Sequence, residues 1–246
     1  MKTVHFVRHG ETEQNKDGIW QGHTNTQLSK TGKAQAKLLS KRINLKNQTV
    51  FTSDLARAKE TAYFLSDSPN VRENLREINV GDFTGKSVKE TYSNNLDIFD
   101  ALQYDTYVFP NGESVQEFKL RVQKEVDHIF DNIDEDSECV VVTHGFFIGT
   151  AIGLVLGFNQ YPYPIGNIQN TSISTVIKRD SVMQVNKFND AIHLPNSYID
   201  YPAKDKSRIL TFIRHGQTDS NTQGVWQGHV DNPLNSYGVE TCLLYT

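Results

Sequence analysis

Short apolar, β-rich runs punctuate this chain at Val4–Val7, Thr49–Thr52, Cys139–Thr143, Ile173–Lys178 and Val182–Phe188. Each has the length and the branched composition of a strand, and a shorter strand fits Asn70–Glu73. Between them, Thr31–Ile43, Asp54–Leu65, Ser114–Ile133 and Phe146–Leu156 repeat their apolar positions at helical spacing. Strands alternating with helices predict an α/β three-layer sandwich with a mostly parallel sheet flanked by helices. Ligands of such sheets sit beyond the carboxyl ends of the strands.

The pattern also repeats. Residues 6–32, FVRHGETEQNKDGIWQGHTNTQLSKTG, return at residues 212–238 as FIRHGQTDSNTQGVWQGHVDNPLNSYG, without a gap. Arg8/Arg214, His9/His215, Gly10/Gly216, Thr12/Thr218, Asn15/Asn221 and Trp20/Trp226 are shared. The tandem repeat divides the chain into a module over 1–195, a polar linker over 196–207 and the truncated start of a second module over 208–246. That second copy is expected to be inactive and poorly ordered, with its first strand, Ile209–Ile213, unpaired.

Composition narrows the class. The formal charge of −4 gives no basic footprint for nucleic acid. Two distant cysteines, Cys139 and Cys242, build neither a disulfide framework nor a zinc site. The most apolar stretch, Phe146–Phe158, is too short to cross a bilayer. A cytoplasmic, reducing setting is expected, with no membrane or nucleic-acid partner and a monomer or homodimer.

Candidate chemistry lies at the strand ends. Arg8-His9-Gly10 closes the first strand, and Gly10 is expected to let the backbone bend close to a ligand. His144-Gly145 closes the run CVVVT in the same way. Either histidine alone would read as an incidental loop residue; on adjacent strands the two would converge. Ser53 or Asp54 is placed to cap the next helix, with Arg57 in its first turn, where an anion is favoured. Alone, Arg57 would read as a surface arginine paired to Glu60 or Asp54. Glu77 is a candidate proton donor, and in isolation would read as a solvated cap. Together, two arginines, one or two imidazoles and a carboxylic acid suit phosphoryl transfer. Such transfer runs on positioning and charge stabilisation, which arginines supply without a metal cofactor.

In order, RHGET with Asn15, WQG, TSDLARAKETA, LRE with Gly81 and Gly85, and VVTHG resemble the histidine phosphatase superfamily, in the branch that includes cofactor-dependent phosphoglycerate mutases. Gly112-Glu113-Ser114 and the late NDAIHL, Asn189–Leu194, extend the resemblance over residues 2–194. It implies a six-stranded sheet and no metal or other cofactor. It implies His9 as the nucleophile and Glu77 as the acid and base. Arg8, Arg57 and His144 would form the phosphate pocket, and Asn15, Thr12, Gln21, Gly22 and Gly145 would add phosphate or substrate contacts. Asn79 and Thr84 depart from the usual pattern near Glu77. His9 must be neutral to attack. Its second nitrogen is expected to donate to a backbone carbonyl, and the arginines to lower its pKa.

The short interval from Glu77 to His144 and the WQG motif favour a phosphomonoester hydrolase acting on a small phosphorylated metabolite. A phosphoglycerate mutase-type phosphotransferase is the alternative. A non-catalytic phosphate-binding or regulatory module is a third reading, opposed by the full set of five residues. Substrate choice is expected in a lid over Lys86–Glu113, with Tyr92, Phe99, Tyr104, Tyr107 and Phe109 either lining a pocket or packing in the core.

Overall fold

A computed structural model describes residues 1–43, 48–94, 106–158, 167–195 and 214–243. The chain divides into two compact units, Met1–Pro195 and Asn196–Thr246. The first is built on a six-stranded sheet: β1 (Lys2–Arg8), β2 (Thr49–Ser53), β3 (Asn70–Arg72), β4 (Glu138–Thr143), β5 (Ile173–Arg179) and β6 (Val182–Asp190). The strand order is β3-β2-β4-β1-β5-β6, and β5 alone runs opposite to the other strands. The sheet is therefore mixed but mostly parallel.

Both faces of the sheet are covered, which explains why β4 reads as an unbroken apolar run. Cys139 and Val141 face one layer with Val4 and Phe6, and Val140 and Val142 face the other with Val7. On the first face pack two helices, Val115–Asn132 and Gly145–Val155, through Phe118, Val122, Ile129, Phe130, Phe147 and Ile148. On the second pack α-helices Lys30–Arg42 and Ala56–Tyr63, through Leu39, Ala58 and Ala62. Burial also pushes the Cys139 thiol up to about 12, so it behaves as a packing group.

Helix starts follow local chemistry. Ser29 accepts from the Gly32 amide, and Ser114 forms a reciprocal capping box with Glu117. The helix carrying Arg57 differs from expectation. Neither Ser53 nor Asp54 caps it; Leu55 occupies the cap position, and the Ala56 amide donates to Asn25 Oδ1 at 2.7 Å. Asp54 is instead bound bidentately by Arg76.

Gly10 also has a different reason for being glycine. A Cβ there would lie 2.7 Å from the Gly32 carbonyl oxygen, and one on Gly32 would lie 2.1 Å from the Glu11 carbonyl oxygen. The loop after β1 and the first turn of the Lys30–Arg42 helix thus touch backbone to backbone. The close approach is to that helix, and a ligand is not what demands it.

In the lid, Phe109 is fully buried and stacks edge-on against Trp20, Phe83 and Tyr107, so Phe109 packs in the core. Phe99, Tyr104 and the Tyr92 side chain lie outside the described residues. Among the described residues, no helix is long and apolar enough to cross a membrane.

Among its described residues, the second unit holds two helices, Asp219–Thr222 and Ser236–Leu243. Contacts within residues 214–243 are local. Thr218 and Asn221 form a capping box, and Gly216 and Gly238 repeat the close approach of Gly10 and Gly32. The strand expected over Ile209–Ile213 lies outside the described residues.

Gly32→Ala is expected to destabilise the first unit by about 1–3 kcal/mol, since the added methyl meets backbone that must move. Gly149→Ala is the control. Its Cβ would meet only Ile168 Cδ1, at 3.8 Å, and gaining a helix former should leave stability equal or up to about 1 kcal/mol higher. Thermal unfolding of the two variants checks the pair.

Candidate active site

Parallel pairing of β1 with β4 sets Arg8 opposite Thr143, so His9 and His144 emerge side by side. Their rings lie 5.2 Å apart, inclined at 60°. Pairing of β2 with β4 brings the helix after β2 to the same edge, and with it Arg57. Arg57 is buried, 1% exposed, so it is not a surface arginine. Its Nη1 donates to the Thr24 carbonyl at 2.8 Å and its Nη2 to the Gly22 carbonyl at 2.9 Å. Its Nε donates to His9 Nε2 at 3.3 Å. Burial pushes the Arg57 pKa down to about 10, which leaves it charged at neutral pH.

His9 is held in one tautomer. Its Nδ1 lies 2.7 Å from the Gly10 carbonyl oxygen and must carry the proton; Nε2 accepts from Arg57 and keeps its lone pair. Burial, then Arg57 and Arg8, hold the His9 pKa well below the ordinary histidine value. His144 is depressed by burial and then by Arg57, and both of its ring nitrogens are buried without a partner. Arg8 donates through Nη1 to the Ile168 carbonyl, while its Nε is buried and unpaired. Unsatisfied donors converging from Arg8 and His144 mark a place built for an anion.

Glu77 reaches the site from the segment after β3. Its carboxylate accepts from the Phe146 and Phe147 amides at 3.1 and 3.2 Å, in the first turn of the helix that His144 opens. Burial raises its pKa above the usual carboxylate value; the Phe146 amide, Arg57 and the Ile78 amide pull it back in part. Its backbone carbonyl is held by His23 and by Arg121, and Arg121 is itself paired with Glu113.

Thr12 caps the short helix Glu13–Lys16 and donates to Gln21 Oε1 at 3.0 Å. Asn15 receives hydrogen bonds on its amide oxygen from the Thr12 backbone amide at 3.2 Å and, at 3.4 Å, from Asn170. Gln21 sits behind Thr12 and also accepts from Thr26. Gly22 adopts φ +47°, which turns its carbonyl onto Arg57. Gly145 begins the helix after His144, beside Arg8. The structure thus gathers His9, Arg8, Arg57, His144 and Glu77 in one place and sets Gln21 and Gly22 in supporting positions. Sequence reasoning missed Asn170, whose amide donates to the His9 carbonyl at 2.9 Å, and the Ile168 carbonyl. The polar triplet Asn170-Thr171-Ser172 before β5 was the only signal for that loop. Among the described residues, no group of three or more His, Cys, Asp or Glu could hold a metal ion.

The family model for the histidine phosphatase superfamily (branch 1) matches residues 4–191 and again 210–244. Among curated proteins, a probable phosphoglycerate mutase GpmB of Enterobacter sp. (strain 638) is 28% identical over 84% of this chain and 99% of its own. A metal-independent phosphoserine phosphatase of Arabidopsis thaliana is 30% identical over 77% of this chain and 82% of its own. Among solved structures, a phosphoserine phosphatase variant from Entamoeba histolytica with phosphoserine bound superposes with a TM-score of 0.69. It is 28% identical, covering 79% of this chain and 100% of that one.

The two depressed histidines make the fold sensitive to acid. Both stay neutral when folded, whereas an unfolded histidine takes up a proton below about pH 6.5. Stability is therefore unaffected above that pH and falls as pH drops below it, until the depressed native values are reached. Each group contributes a slope of up to about 1.4 kcal/mol per pH unit. In phosphate-free buffer, His144→Asn is expected to lose less stability than the parent between neutral and mildly acidic pH. Denaturant titrations at several pH values measure it, and equal slopes would refute the assignment.

Proposed function

The chain belongs to the histidine phosphatase superfamily, and from that premise we propose that it hydrolyses phosphomonoesters through a phosphohistidine on His9. The observation that carries the reading is the single tautomer of His9, with Nδ1 tied to Gly10 and an unprotonated Nε2 facing Arg57, beside the His144 ring. The phosphate group of the ester would rest on Arg8, Arg57 and His144. Asn15 has only its amide nitrogen left to donate, and with the Gly145 amide it completes the set. Thr12 holds Asn15 in place, and Gly22 holds Arg57.

His9 Nε2 attacks phosphorus as the bond to the ester oxygen breaks. Glu77, protonated, gives its proton to the departing oxygen. Left as a carboxylate, it then takes a proton from water, which attacks the phosphohistidine and releases phosphate. Charge building on the phosphoryl oxygens is met by the two guanidinium groups, so the scheme calls on no metal ion.

Relatives named phosphoserine phosphatase support hydrolysis of a small phosphorylated metabolite. A mutase-type transfer draws support from the relatives named phosphoglycerate mutase. It would use the same phosphohistidine but return the group to a second ester in place of water. The short interval between Glu77 and His144 favours water.

With p-nitrophenyl phosphate, activity is expected to persist in EDTA and to fall at least about a thousandfold in His9→Ala, while His215→Ala stays near the parent. Loss of activity on chelation would refute the metal-free scheme, and a His215→Ala defect as large as that of His9→Ala would refute the placement of the site. A bisphosphate-primed phosphoglycerate assay separates mutase from phosphatase.

The raised pKa of Glu77 also sets a pH profile. The proton donor is lost as pH climbs through that value, so kcat/KM is expected to decline toward alkaline pH. Glu77→Gln should cost on the order of 10²–10⁴-fold and flatten that decline; a profile unchanged in shape would exclude Glu77 as the donor.

A further inference from the structure

The motif Asn189-Asp190-Ala191-Ile192-His193 touches none of the groups assigned above to the phosphate, yet both of its ends reach the loop that holds them. Asn189 accepts from the Gln169 amide at 2.8 Å and donates to the Asn167 carbonyl at 3.0 Å. Between those two residues lies Ile168, whose carbonyl receives the Arg8 guanidinium. At the other end, His193 Nε2 lies 3.1 Å from Thr171 Oγ1. The Thr171 amide donates to the Arg8 carbonyl at 2.9 Å and, at 3.4 Å, to that of His9.

The His193 tautomer follows from its other neighbour. Arg42 Nη1 lies 3.1 Å from His193 Nδ1, and a guanidinium can only donate. Nδ1 therefore carries the lone pair and Nε2 the proton, which points the donor at Thr171. Arg42 is anchored in turn by the Asp190 carboxylate and carbonyl. Burial, then Arg42, push the His193 pKa down to about 4, so this arrangement stays neutral over the working range. Thr171 itself is fully buried at φ +59°, a conformation that a β-branched residue adopts only where its surroundings impose it.

We propose that Asn189–His193 is a positioning brace for the phosphate site: through loop 167–171, Asn189 aims the Arg8 guanidinium and His193 fixes the backbone that carries His9. The proposal rests on the phosphohistidine reading for its kinetic consequences, but its geometric claim concerns anion binding as well.

The test uses the full chain and two probes, inorganic phosphate binding by calorimetry and p-nitrophenyl phosphate turnover, both well below each variant's Tm. His193→Ala is expected to lower kcat/KM and weaken phosphate binding, each by on the order of tenfold to a hundredfold. His193→Gln, which keeps one acceptor and one donor, should recover most of both. Asn189→Gly keeps the left-handed backbone, at φ +51° in the parent, and deletes only the amide contacts. It should raise KM and the phosphate Kd more than it lowers kcat, because Arg8 is what it releases. A folded His193→Ala with parental kcat, KM and phosphate affinity, altered only in Tm, would overturn the brace for His193. Unchanged phosphate affinity in Asn189→Gly would overturn it for Asn189, and that variant decides the matter if His193→Ala does not fold. If the parent binds phosphate but turns over no ester, the hydrolase reading fails, while the affinities of the variants still judge the brace.

Discussion

Two guanidinium groups anchored on backbone carbonyls, Arg57 buried and Arg8 half-buried, set the terms for this site. Arg57 rests on the carbonyls of Gly22 and Thr24, and Arg8 on that of Ile168. A carbonyl dipole orients a guanidinium without neutralising it, so the charges remain to be met by an anion. The same charges, added to burial, keep both neighbouring imidazoles neutral. A single arrangement thus sets guanidinium charge beside an unprotonated His9 Nε2. Supporting features follow from the need to place those carbonyls. Gly22 adopts a left-handed turn, and loop 167–171 is fastened from outside.

The second copy shows how much of this the RHG motif builds alone. His215 Nδ1 lies 2.7 Å from the Gly216 carbonyl oxygen, as in the first copy, and the Thr218 capping box is intact. The tie of the histidine to its own loop is therefore local and travels with the motif. Its setting does not. Trp20 is 7% exposed beneath Phe109 and Phe146, whereas Trp226 is 98% exposed. In the first unit, other strands bring a second arginine, a second imidazole and an acid to the loop.

Much of the fold was legible because it is written in periodicity. The five main strands and four long helices lie within about two residues of the positions that the apolar pattern predicts. Convergence of His9 and His144 was legible as soon as their strands were neighbours, since parallel strands share an end. Side chains that work through distant backbone were not legible. Asn25 caps a helix 31 residues further along, and Asp54, the obvious local choice, pairs with Arg76. Likewise, Ile168 acts through a carbonyl, which every residue has, so its identity gives no sign of its role. Glu77 was expected as an acid, but its seat on two amides of the distant helix that His144 opens depends on tertiary contact alone.

The meeting of Gly10 with Gly32 gives the motif a letter that its usual spelling omits. An RHG triplet can arise by accident after any strand, but it can be packed in this way only if a second glycine sits at the start of the next long helix. Gly238 fills that place for the second copy. In an unfamiliar sequence, the distant glycine thus separates an RHG folded into this loop from one that merely spells it.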